Sequence, residues 1–187
     1  TAIGSKKLIE FGWDEPTTAF MRKHVAQMEQ MPFDGCVFAI SYDQADGKQA
    51  SFLDKCWGTR KFQESEFKSA EADLAATRFK KFTSNFLRFD VTPGDVDWFA
   101  DFSAIPSNAR LAAKIARHGK AAGILFDIEQ YQAHLFDYSK QRDAKTKSFA
   151  EYAAQAHQRG REVMQAFQAG YPNLRVLMTY GYSLPYA

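Results

Sequence analysis

A chain of 187 residues that is 45% hydrophobic, 15% aromatic and 25% charged carries enough apolar material for one globular domain with a buried core. Its formal net charge of +2 offers no electrostatic footprint for nucleic acid or an anionic membrane, and no polar tract of the disordered kind interrupts it. The longest apolar runs, such as Ala121 to Phe126, are far too short to span a bilayer. Cys36 and Cys56 allow one disulfide without requiring it, and the start at TAIGSKK, without Met, leaves the compartment open.

In chain order, Lys7 to Trp13 (KLIEFGW) predicts a strand, closed by the turn residues Asp14, Glu15 and Pro16. From Thr17, Phe20, His24, Met28 and Met31 recur at helical spacing up to Pro32. Phe33-Asp34-Gly35 is a turn, and Cys36 to Tyr42 (CVFAISY) reads as the second strand. Asp43 to Phe62 is polar and glycine-bearing, a hairpin or long loop, and Ser69 to Phe82 reads as a helix. Asn85 to Val91 (NFLRFDV) is a third strand, stopped by Thr92-Pro93-Gly94. After a loop carrying Trp98, a helix is expected from about Ser107 to His118, ended by Gly119. Ala121 to Glu129 predicts the fourth strand. Ser148 and Glu151 have capping-box spacing for a helix running to Gly170, and Leu174 to Tyr182 is the fifth strand.

Strands alternating with helices imply an α/β fold with a parallel sheet. The phosphate-binding pattern GxGxxG is missing after the first strand, which argues against a dinucleotide fold. Five strand–helix units in this length extrapolate to a (β/α) barrel of TIM type, about 250 residues for eight units. The expectation is therefore the N-terminal five units of a longer barrel, incomplete at the C-terminus.

Period-2 counting aims the side chains. On the fourth strand Ile124, Phe126 and Ile128 share one face, while Leu125, Asp127 and Glu129 share the other. That places two carboxylates roughly 6–7 Å apart along the chain at the C-terminal end, where barrel active sites gather. On the third strand Leu87 and Phe89 oppose Arg88 and Asp90. On the first, Glu10 opposes Ile9, Phe11 and Trp13. If the inner faces meet, Glu10, Arg88, Asp90, Asp127 and Glu129 converge, with Arg88 as counter-ion. The plain alternative is that Asp127 and Glu129 only cap a helix or pair with Arg88. None of the four His residues pairs with Cys or a carboxylate at zinc-ligand spacing, and no GxSxG elbow is present.

The segment Ala122-Gly123-Ile124-Leu125-Phe126-Asp127-Ile128-Glu129 resembles the fourth-strand signature of family 18 glycoside hydrolases, the chitinase-like barrels, written D-G-x-D-x-D-x-E. Gly123, Asp127 and Glu129 match, whereas Ala122 and Leu125 stand where that family has Asp. The resemblance covers about ten residues; a looser likeness to sugar-cleaving barrels is the broader form of it. It implies Glu129 as general acid, with Asp127 orienting a neighbour, helping to raise the pKa of Glu129 or stabilising positive charge on the sugar, and no cofactor. Sugars stack on aromatic rings, and Trp13, Tyr42, Trp57, Trp98, Tyr131, Tyr180 and Tyr182 lie at predicted strand ends or in the loops beyond them. The functional expectation is hydrolysis of a polysaccharide or oligosaccharide. A polysaccharide substrate would favour a secreted or periplasmic location. The alternatives are a non-catalytic carbohydrate-binding barrel, or a hydrolase in which Glu10, Asp90, Asp127 and Glu129 hold Mg²⁺ or Ca²⁺.

Overall fold

The computed structural model describes residues 6–12, 14–130 and 133–180. Five strands form one all-parallel sheet: β1 (Ile9–Glu10), β2 (Gly35–Phe38), β5 (Phe86–Asp90), β6 (Gly123–Asp127) and β7 (Arg175–Met178). They lie side by side in chain order, each hydrogen-bonded in parallel to the next, and the sheet curls as a half barrel. A doubly wound sheet would reverse its strand order at a switch point; no reversal occurs here. Two short strands, β3 (Ser41–Asp43) and β4 (Gln49–Ser51), make a separate antiparallel hairpin. Helices α1 (Thr18–Met28), α2 (Lys68–Ala76), α3 (Ala104–His118) and α4 (Phe149–Gly170) complete the layer.

Strand alternation separates two apolar sets. Leu87, Phe89, Ile124 and Phe126 join the large core under the helices, while Val37, Phe86 and Leu125, with Ile9 and Ala122 against them, form a small cluster on the inner face. The large core is mostly aromatic: Trp57 stacks on Phe126 at 5.8 Å, and Phe167 of α4 meets Phe89 edge-on at 5.3 Å. α3 and α4 pack so closely that a Cβ on Gly170 would lie 2.2 Å from the Arg110 carbonyl oxygen.

The capping-box reading of α4 agrees with the structure: the Ser148 hydroxyl accepts from Glu151 N–H at 3.3 Å, and Glu151 Oε2 accepts from Ser148 N–H at 2.7 Å. Other boundaries moved for local reasons. α2 stops at Thr77 rather than Phe82, because the Thr77 hydroxyl turns back onto the Asp73 carbonyl at 2.7 Å. α1 ends before Glu29, whose carboxylate instead accepts the N–H groups of Lys80, Lys81 and Phe82. Its buried residues are Thr18 and Met21, not the Phe20 stripe. Phe20, Met28 and Met31 instead line an apolar cavity of about 540 Å³. The predicted second strand splits, its end leaving the sheet to become β3. The segment read as a polar loop, residues 43–62, contributes Phe52, Trp57 and Phe62 to the core. Cys36 and Cys56 are both free and buried. No described helix is long and apolar enough to cross a membrane.

Candidate functional site

At the C-terminal edge of β5 and β6, Arg88, Asp90 and Asp127 rise from the inner face, with Asp90 and Asp127 in register as neighbours. The Arg88 guanidinium is the hub. Its Nη2 donates to Asp127 Oδ2 at 2.6 Å and lies 3.8 Å from Asp90 Oδ2, while its Nη1 pairs with Glu15 from the loop after β1. All four side chains are largely buried, at 12% exposure for Arg88, 6% for Glu15, 9% for Asp90 and 3% for Asp127. Burial opposes the guanidinium's charge, but the carboxylates of Glu15, Asp127 and Asp90 outweigh it and hold its pKa above the ordinary value. The Phe11 ring lies over the guanidinium, 5.9 Å from its centroid.

Asp127 is held from three sides. Besides Arg88, the Thr179 hydroxyl donates to Oδ1 at 2.6 Å and the Glu129 N–H donates to the same oxygen at 3.0 Å. Thr179 Oγ1 also accepts from Ile128 N–H at 3.2 Å, so the backbone of residues 128–129 bends away from the strand line around this pair. β6 therefore ends at Asp127, and the direction of Glu129 is set by this turn rather than by strand alternation. The Glu129 carboxylate lines a cavity of about 370 Å³ with Phe11, Gly12, Asp127, Thr179 and Tyr180. The Tyr180 hydroxyl donates to Glu129 Oε1 at 3.1 Å. Tyr180 has a φ of 53°, a left-handed backbone that non-glycine residues seldom adopt.

Asp90 differs from its neighbours. Burial raises its carboxyl to about 6 against the opposing pull of Arg88 and a 3.0 Å hydrogen bond from Thr92 N–H. The Cys56 thiol, itself pushed up by burial and by the Asp90 charge, donates to the Asp90 carbonyl at 3.2 Å.

Glu10 does not join this group. It pairs in register with Cys36 on the helix side of the sheet, while Ile9, one residue earlier, packs with the inner cluster. It lines the apolar cavity beside α1, where burial and then the charge of Glu15 raise its pKa. Tyr42 and Trp98 are core residues, 4% and 5% exposed, and neither offers a ring face to a ligand. Trp98 Nε1 is committed to the Leu135 carbonyl at 2.8 Å. Phe11 and Tyr180, exposed at 47% and 41%, take over as the open rings beside the carboxylates. Trp13, Tyr131 and Tyr182 lie outside the described residues.

Among the described residues no cluster of His, Cys, Asp and Glu could hold a metal ion. The physical reason at this site is plain: Glu10 faces the other way, and the Arg88 cation sits against both Asp90 and Asp127. Glu15 was missed because Asp-Glu-Pro after a strand reads as a turn. Its position beyond the C-terminal end of β1 was the available signal.

No family model, curated protein or solved structure matches this chain.

Proposed function

We propose that the chain is the catalytic part of a glycoside hydrolase built on a (β/α) barrel of TIM type, of which the described sheet supplies five strands. The reading rests chiefly on Glu129: a carboxylate just beyond a parallel strand's C-terminal end, on a cavity wall, beside a second carboxylate that is rigidly anchored.

In this reading Glu129 gives its proton to the glycosidic oxygen as the bond to the anomeric carbon breaks; water then adds to that carbon and releases a proton to solvent, from which Glu129 is reprotonated. Tyr180, bonded to Oε1, fixes the carboxyl's orientation and leaves Oε2 to carry that proton. Asp127 stays in place through Arg88, Thr179 and the Glu129 N–H, a preorganised negative charge opposite the positive charge that develops on the sugar ring. Phe11 and Tyr180 give the sugar apolar faces to rest on. No metal or organic cofactor takes part in this scheme.

The test is a hydrolysis screen with chito-, cello-, xylo-, malto- and laminari-oligosaccharides, products separated by chromatography. Cleavage of one of them by the native chain, together with its loss in Glu129→Gln, supports the reading. Cleavage that continues undiminished in Glu129→Gln removes Glu129 from the chemistry, and binding without turnover in both forms assigns the chain to sugar recognition alone.

A further inference from the structure

Glu129 and Tyr180 line two cavities, not one. Beyond the cavity shared with Asp127 and Phe11, a second of about 400 Å³ is lined by Glu129, Ala133, His134, Phe136, Asp137 and Tyr180. Each volume lies within the range of cavities that hold small organic ligands, roughly 300–1,000 Å³. Glu129, with the tyrosine bonded to it, is thus a wall common to both.

A general acid for glycoside cleavage must reach the oxygen that joins two units, so the units must lie on opposite sides of it. The two cavities differ in kind. The first holds the buried charges: Asp127, with Arg88 behind it, under the Phe11 ring. That is the side suited to positive charge developing at the anomeric centre. The carboxylate of the second, Asp137, is 41% exposed and tied to Ser139 and Lys140 rather than buried against a guanidinium. The main feature there is the Phe136 ring, 56% exposed and packed at 5.8 Å against Trp98 beneath. Trp98 is pinned by its bond to the Leu135 carbonyl, and the Leu135 N–H in turn donates to Gln130 Oε1 at 2.6 Å. The Gln130 amide also donates to the Val91 carbonyl at 3.1 Å. The ring beneath Phe136 is therefore held in place, while the upper face of Phe136 meets solvent. Around it, His134 and Asp137 set polar groups at the edge, as a ring with an apolar face and hydroxyl rim requires.

We infer that the cavity over Phe136 is the binding site for the leaving-group sugar, so that the substrate is an oligosaccharide or polysaccharide spanning Glu129 rather than a glycoside of a small alcohol. The inference rests on the hydrolase reading above for its chemistry, but not for its binding prediction. Phe136 is a specificity-determining residue in it, and Phe11 belongs to the other side.

The experiment compares Phe136→Ala and Phe11→Ala on two substrates: the oligosaccharide the native chain cleaves best, and the glycosyl fluoride of the same sugar, whose leaving group occupies no sugar site. Phe136 is exposed, so its truncation leaves the core intact. Phe136→Ala is expected to lower kcat/KM for the oligosaccharide about tenfold, with the fluoride unchanged, while Phe11→Ala lowers both. Equal losses on both substrates in Phe136→Ala, no loss on either, or an oligosaccharide-only loss in Phe11→Ala overturn the assignment. If the native chain cleaves nothing, the hydrolase reading fails separately, and calorimetric titration with hexasaccharides of the same sugars decides the site. Weaker binding in Phe136→Ala by about tenfold then supports it, and equal binding, or none by the native chain, overturns it.

Discussion

Replacing Arg88 with Met removes the cation that Glu15, Asp90 and Asp127 share while keeping most of the side chain's length and apolar volume. Three largely buried carboxylates are then left facing one another. Asp127 keeps two donors, the Thr179 hydroxyl and the Glu129 N–H, and Asp90 keeps Thr92 N–H. Glu15 loses the partner it has in the structure. Breaking a buried ion pair from one side costs about 3–5 kcal/mol. The retained donors put the expected loss near the lower end, about 3 kcal/mol, which is a large share of the roughly 5–15 kcal/mol that holds a domain of this kind. The cost is one of uncompensated charge, so it must shrink when the carboxylates take up protons. Urea unfolding followed by circular dichroism at pH 7.5 and pH 4.5 measures both parts. The expected result is a loss of about 3 kcal/mol at the higher pH and clearly less at the lower. The double variant Glu15→Gln with Arg88→Met should recover part of it, the interaction energy of the pair. A loss below about 1 kcal/mol, equal at both pH values, would show that the network behaves as exposed charge.

Asp90 gives a pH dependence with the opposite sign to an ordinary paired carboxylate. Its pKa rises from 3.8 to about 6 on folding, so the fold favours the neutral form; that stabilisation is complete below pH 3.8 and is lost as pH rises through about 6. A change of about two pKa units corresponds to about 3 kcal/mol. Asp90→Asn, which keeps an acceptor for Thr92 N–H, should therefore gain on the native chain by up to that amount between pH 4 and pH 8 in parallel unfolding curves; a constant difference would contradict the assigned burial. Gly170→Ala would drive a Cβ to 2.2 Å from the Arg110 carbonyl, forcing α3 and α4 apart, and is expected to cost about 1–3 kcal/mol in thermal unfolding despite alanine's better helix propensity.

The alternation of Leu87 and Phe89 against Arg88 and Asp90 was legible because one face of β5 takes apolar helices and the other carries charge. The Ser148 capping box was legible because it needs only local spacing. Glu10 lies on the other face for a reason common to parallel sheets: both faces carry apolar residues, so Ile9 and Phe11 fit either side in the sequence, and only the pairing of Glu10 with Cys36 decides it. Tyr42 and Trp98 stand near strand ends in the sequence as a ligand platform would, yet their rings fill the core. Nothing in residue type or spacing separates those two cases. The aromatic core supplied by residues 52–62 was hidden by the polar residues around it, and Glu15 by its resemblance to a turn-former. Glu129 lay on the predicted strand but is aimed by Thr179 and Asp127, a contact between segments far apart in the chain.

In the proposed hydrolysis Glu129 delivers a proton to a leaving oxygen. The most direct measurement compares Glu129→Gln with the native chain on a cleaved oligosaccharide and on the glycosyl fluoride of the same sugar, whose departing fluoride needs no proton. In Glu129→Gln kcat on the oligosaccharide should fall by at least about 100-fold, with the fluoride still turned over at close to the native rate. Equal losses on both substrates, or full activity on the oligosaccharide, would contradict it.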